Sequence, residues 1–281
     1  MAGSHGRFAW YELMTTDMEA AKAFYTDVMG WGAWEASVPG RPYILFTTGK
    51  AVVGGLMGLP EEARSTGVRP AWIGYVGVND VDDAAGRVER LGGVVHVPPT
   101  DVANISRFSV FTDPQTARLA LFKWLGAAQE QPAEPDAPGH VGWRELLAAD
   151  GEQALAFYSE LFGWQKADDD IDESATYQLF SAGGETIGGM VTKPETIPAP
   201  FWLFYFNAGD VDAAAQRVKA GGGRIVEGPI EVPGGSCMVW CEDPQGGVFA
   251  LEGTQQRKPV GYFERVAPRN PANARSRRWS W

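Results

Sequence analysis

The chain has 281 residues, 44% of them apolar and 21% charged, with a formal net charge of −11. These proportions fit a globular protein of about two domains, no run approaches the roughly 18 apolar residues of a membrane span, and the start MAGSHGRF lacks the apolar stretch of a signal peptide, so a cytoplasmic protein with no membrane partner is expected. From Gln255 onward there are seven Lys or Arg and one Glu, a tail of +6 that by difference leaves −17 on the body, and an acidic body disfavours nucleic acid.

Residues 8–15 alternate and predict a strand. Asp17 is placed to cap a helix running to about Met29, with an apolar stripe of Ala20, Ala21, Phe24 and Val28 and with Gly30 as its stop. Three short strands are expected near 32–38, 42–48 and 51–58, then a strand at 71–78 and a second helix at about 81–91 closed by Gly92 and Gly93. Strands near 94–98, 105–112 and 117–124 follow. The segment 127–138, rich in Pro, Ala and Glu, reads as a linker.

Beyond the linker the pattern repeats. WYELMTTDMEAAKAFYTDVMGW at 10–31 recurs as WRELLAADGEQALAFYSELFGW at 143–164, an offset of 133. AWIGYVGVNDVDDAAGRVERLGG at 71–93 recurs at 201–223, and both copies place Asp-Pro-Gln before their last strand. The division is a first domain at 8–126, the linker, a second domain at 139–254 and a basic tail at 255–281. Tyr262, Phe263, Trp279 and Trp281 would anchor that tail on the acidic body; the alternative is a tail that contacts an anionic partner. Cys237 and Cys241 lie on one face of a predicted strand, about 13 Å apart at roughly 3.3 Å per residue, too far for a disulfide.

The motif D-x-x-x-A-x-x-F-Y-x-x-x-x-G-W in both halves, D-V-D-x-A-A at 80–85 and 210–215, and the two D-P-Q segments resemble the glyoxalase/bleomycin-resistance/extradiol-dioxygenase (vicinal oxygen chelate) superfamily. The resemblance implies an α+β fold: two tandem domains, each built from two βαβββ modules that curl into an eight-stranded open cup with helices outside. Metal-binding members carry His seven residues before the helix-capping Asp, often a second His seven before the Asp of D-V-D, and Glu seven after the Asp of D-P. These positions here hold Trp10 and Trp143, Ile73 and Leu203, and Ala120 and Ala250. The fourth-strand stretches that hold a further carboxylate in the glyoxalase branch read VGGLM at 53–57 and IGGMV at 187–191. His5, His96 and His140 match no ligand position. No cofactor is therefore expected, and a relocated divalent metal is the disfavoured alternative.

Aligned this way, strand alternation points Trp10, Glu12, Met14, Tyr75, Arg118 and Phe122 into the first cup, and Trp143, Glu145, Leu147, Tyr205, Val248 and Glu252 into the second. The expected ligand is a small, flat or aromatic molecule stacked on Trp. Glu12 with Tyr75, and Glu145 with Tyr205, are the candidate acid–base residues; Arg118 is expected to hold Glu12 ionised, and Glu252 to press Glu145 toward its neutral form. A repeated buried Glu also serves as a plain acceptor that fixes a barrel. Binding without chemistry, metal-free acid–base catalysis of a lyase, isomerase or dioxygenase type, a relocated metal site and an interaction module thus stand side by side, in a monomeric pseudo-dimer or a homodimer.

Overall fold

A computed structural model describes residues 5–38, 41–126, 136–167, 177–232 and 235–255. Most of the linker, and the tail with its four aromatic anchors, lie outside the described residues.

The first copy runs β1 (Phe8–Thr15), α1 (Met18–Met29), β2 (Gly32–Val38), β3 (Arg41–Thr48), β4 (Ala51–Gly58), α2 (Glu61–Ser65), β5 (Ala71–Gly77), α3 (Val81–Arg90), β6 (Val94–Val102), β7 (Ser106–Thr112) and β8 (Arg118–Trp124). The second runs β9 (Val141–Ala148), α4 (Gly151–Phe162), β10 (Gln165–Lys166), β11 (Tyr177–Ala182), β12 (Glu185–Thr192), β13 (Phe201–Asp210), α5 (Val211–Ala220), β14 (Arg224–Glu231), β15 (Cys237–Glu242) and β16 (Val248–Thr254). Each copy is one open eight-stranded sheet, β2-β3-β4-β1-β5-β8-β7-β6 and β10-β11-β12-β9-β13-β16-β15-β14. The two modules of a copy meet where β1 pairs antiparallel with β5, and β9 with β13.

The helices form where the caps predict. Asp17 and Asp150 accept the third-residue backbone N–H of α1 and α4, and Gly30 and Gly163 close them at φ 69° and 74°, a conformation that suits a residue without Cβ. Two differences from expectation have local causes. Strand β6 runs on through Pro98 and Pro99 to Val102, because register shifts between Val95 and Thr100 absorb prolines that cannot donate. The short helix α2 carries no buried residue, and so left no apolar periodicity to read.

The helices lie outside the cups, and the apolar faces of α1, α3, α4 and α5 are buried between the two copies and their sheets. One core joins the helix-bearing faces of both sheets, while each concave face has a smaller apolar cluster of its own. The residues that define the repeat brace this joint reciprocally. The Tyr25 hydroxyl donates to Asp243 at 3.0 Å and accepts from the Trp72 indole at 3.0 Å; Tyr158 donates to Asp113 at 3.0 Å and accepts from Trp202 at 3.1 Å. Trp31 donates to the Gly139 carbonyl, and Trp164 to that of Gly6. Arg217 donates to the Val28 carbonyl, and Arg87 to that of Glu160.

At the centre of the joint the symmetry breaks. Arg144, 9% exposed, donates from Nε to the Tyr11 hydroxyl at 2.6 Å and from Nη2 to the Val141 carbonyl at 2.8 Å. Its guanidinium lies over the Phe8 and Tyr11 rings, 5.6 and 5.7 Å from their centroids. Tyr11 and Arg144 occupy the same position of the two repeats.

Cys237 and Cys241 are buried free thiols on the face that joins this core, and burial pushes Cys241 up to about 12.

Candidate functional site

Alternation along β1, β5 and β8 sends Leu13, Trp72, Val76, Leu119 and Leu121 to the joint and leaves Trp10, Met14, Ile73, Tyr75, Ala120 and Phe122 on the concave side. In the second copy Trp143, Leu147, Leu203, Tyr205, Val248 and Ala250 take the concave side. The residues expected to point into the cups thus share concave faces.

On the floor of each cup a buried glutamate receives two tyrosine hydroxyls. Glu12, 6% exposed, accepts from Tyr75 at 2.7 Å and from Tyr43 at 2.6 Å, and the Trp10 indole donates to Tyr43 at 3.1 Å. Glu145, 7% exposed, accepts from Tyr205 at 2.5 Å and from Tyr177, and Trp143 donates to Tyr177 at 2.9 Å. Tyr43 and Tyr177 had not been singled out from sequence. Their signal was the shared Y-x-L-F of 43–46 and 177–180, masked by an offset of 134 where the first motif has 133.

The paired glycines of the fourth strands make this floor possible. Gly55 lies beside Glu12, and Gly189 beside Glu145, in parallel register. A Cβ at Gly55 would overlap the Tyr43 hydroxyl, and one at Gly189 the Tyr177 ring and hydroxyl. Where the resemblance led one to look for a carboxylate ligand, each copy has cleared space for a phenol.

Burial pushes the Glu12 carboxyl above its ordinary range, while Tyr43, Tyr75 and then Arg41 pull it back in part. Burial likewise raises Glu145; Tyr205 and Tyr177 oppose the rise, and the charge of Glu227 adds to it. All four tyrosines are held well above the usual phenol value, first by burial and next by the adjacent glutamate.

Two expected pairings are corrected. Arg118 makes no hydrogen bond to Glu12, and the cation that bears on Glu12 is Arg41, because Arg118 lies beyond β5 and crosses to Thr112 of β7. Glu252 does not set the state of Glu145; it accepts from Ser236 at 2.7 Å, and Glu227 is the carboxylate whose charge reaches Glu145. His96 places Nε2 3.0 Å from Thr112 Oγ1, and His5 lies in a turn before β1.

The donor set does not suit the divalent ion of the metal-binding members. The corresponding positions offer indole, alkyl and methyl side chains, Gly55 and Gly189 offer none, and no three His, Cys, Asp or Glu gather among the described residues. No described helix is long and apolar enough to cross a membrane.

Comparison with known proteins matches this architecture. The family model described as Glyoxalase/Bleomycin resistance protein/Dioxygenase superfamily fits residues 7–121 and 138–251. CFP32 of Mycobacterium tuberculosis, a glyoxylase by provisional name, is 32% identical over 244 residues, which span 86% of this chain and 92% of that protein. The anthracycline biosynthesis protein DauV of Streptomyces sp. is 29% identical, over 91% and 96% of the two chains. Among solved structures, the Mn(II)-bound glyoxalase from Novosphingobium aromaticivorans has a TM-score of 0.60 at 18% identity, covering 89% of this chain and 82% of that one. Homoprotocatechuate 2,3-dioxygenase from Brevibacterium fuscum reaches 0.62 at 16% identity, covering 88% and 80%. These two structural likenesses speak for the fold, and together with the family model and the relatives they lead to one assignment: the chain belongs to the glyoxalase/bleomycin resistance protein/dioxygenase superfamily.

Proposed function

We propose that this protein binds a small, flat, aromatic molecule in a concave pocket that uses no metal ion. The observation that carries the reading is the half-buried aromatic wall of the first cup: Trp10, Phe108 and Trp124 remain partly exposed on the concave side, above a floor where both Glu12 oxygens are already engaged. Partly exposed rings around a closed polar floor suit a stacked ligand, which gains by covering them. The Streptomyces relative is named for anthracycline biosynthesis, and anthracyclines are flat polycyclic aromatics, which is in keeping with such a ligand. The test is calorimetry with a panel of flat aromatic compounds on the full chain and on Trp10→Ala. Saturable binding that Trp10→Ala weakens at least tenfold supports the proposal; absence of saturable binding across the panel overturns it.

A second reading is metal-free acid–base catalysis of a glyoxalase-type lyase or isomerase reaction by Glu12 with Tyr75, or Glu145 with Tyr205. It is favoured by a raised carboxyl within 2.7 Å or less of a tyrosine hydroxyl, and by the name of the mycobacterial relative. Under this reading Glu12→Gln or Glu145→Gln abolishes turnover while ligand affinity stays within a few-fold.

A further inference from the structure

One wall of the first cup holds a cation that nothing in the described protein answers. Arg118 opens β8 on the face it shares with Ala120 and Phe122. Its cross-strand neighbour is Thr112, whose hydroxyl lies 3.0 Å from His96 Nε2 on β6. A guanidinium, a hydroxyl and an imidazole therefore adjoin on three neighbouring strands. Among the described residues Arg118 has no ion pair, and its Nε is buried without a hydrogen-bond partner. Several other arginines among the described residues are answered by carboxylates: Arg107 by Asp82 and Asp101, Arg224 by Glu242, Arg7 by Glu185. A buried donor left unmet is costly and needs an explanation.

The wall is peculiar to the first cup. At the corresponding positions of the second copy, offset by 130, His96 becomes Val226, Thr112 becomes Glu242 and Arg118 becomes Val248. Burial and the Arg118 charge hold His96 below the ordinary imidazole value, so it meets a ligand as a neutral ring able to hydrogen-bond. Between Arg118 and Phe122 stands Ala120, fully buried in the concave cluster with Ile73, Tyr75 and Val110. Beyond it Phe122 and Trp124 pack edge to face at 4.7 Å, and Trp124 meets Trp10 at 6.4 Å.

We propose that the first cup takes an aromatic carboxylic acid, its carboxylate bound by the Arg118 guanidinium and its ring stacked on the partly exposed Trp10, Phe108 and Trp124. A planar guanidinium matches a planar carboxylate in two parallel hydrogen bonds, which a neutral amide of the same shape cannot reproduce. The assignment rests on the aromatic-ligand reading above.

The experiment is calorimetric titration of the full chain with 2-naphthoate and with its neutral counterpart 2-naphthamide, for the natural protein and for Arg118→Gln and Arg118→Lys, with melting temperatures as the check on folding. The expected result is one naphthoate per chain, bound at least tenfold more tightly than naphthamide. Arg118→Gln removes that preference without changing naphthamide affinity, and Arg118→Lys keeps part of it. Equal affinity for the two compounds in the natural protein, a preference that persists in Arg118→Gln, or two equivalent naphthoate sites would overturn the acid assignment while leaving the aromatic cup standing. Failure of both compounds to bind overturns both.

Discussion

The two cups have the same floor and different walls. In both, a buried glutamate takes two tyrosine hydroxyls and a tryptophan steadies one of those tyrosines. Around that floor the first cup sets Arg118, Thr112 and His96, whereas the second sets Glu227 near Glu145 and Glu252 against Ser236. In the second cup Trp240 also donates to Tyr205 at 2.9 Å, covering the floor where the first copy has only Val110. Under the proposed binding function, the retained floor is the scaffold and the walls, which differ, are what would discriminate between ligands. The second cup thus has an indole over its floor that the first lacks, and the proposed ligand is assigned to the first.

Four measurements test how far the two copies are alike. The largest effect is expected at the joint, where the copies should respond alike. Asp113→Ala and Asp243→Ala each strip a buried tyrosine and two turn N–H groups of their acceptor, at a cost of about 3 kcal/mol in urea denaturation. A cost at one site more than twice that at the other would end the claim of equivalent bracing. Next comes the floor. Gly55→Ala and Gly189→Ala should each cost about 2 kcal/mol, because the new methyl must push the tyrosine off its glutamate; an undiminished melting temperature in either variant would show that floor to be slack.

A smaller effect concerns pH. Glu12 and Glu145 have folded-state values raised above the ordinary 4.5, so the folded state holds its protons longer than the unfolded chain. Their contribution is fully present below 4.5 and is lost as pH rises through the raised values. The melting temperature should therefore fall over that window, and Glu12→Gln with Glu145→Gln should flatten the fall; an unchanged slope would refute the raised values. The smallest change in stability belongs to Trp34, 54% exposed on β2, whose counterpart β10 is only two residues long. Trp34→Ala should alter stability by less than about 0.5 kcal/mol. If β2 forms part of the first cup's rim, the variant will still weaken aromatic ligands there, as tryptophan fluorescence can report.

Periodicity and capping made most of the fold legible. Asp17, Gly30 and the alternation of 8–15 each act within a few residues, and the repeat supplied the second copy. The inward set from Trp10 to Phe122 was legible for the same reason, since strand alternation fixes a face once one residue is placed. What escaped depends on distances across the sheet. Tyr43 reaches Glu12 over Gly55 from a strand two places away, and no local pattern announces that reach. The Arg118–Glu12 pairing failed likewise, since a shared face does not mean adjacency. The F-Y, G-W and D-P-Q residues, conspicuous as a family signature, turned out to serve the joint between the copies and not the cups.

The single Arg144–Tyr11 contact also dictates who may partner whom. Two second copies brought together by the same near-twofold relation would set one Arg144 against another, two like charges in a dry centre with no carboxylate between them. Two first copies would meet tyrosine to tyrosine, with no guanidinium to donate to either hydroxyl oxygen. Only unlike halves satisfy the centre. A centre of this kind favours the pairing of unlike halves over the pairing of like ones.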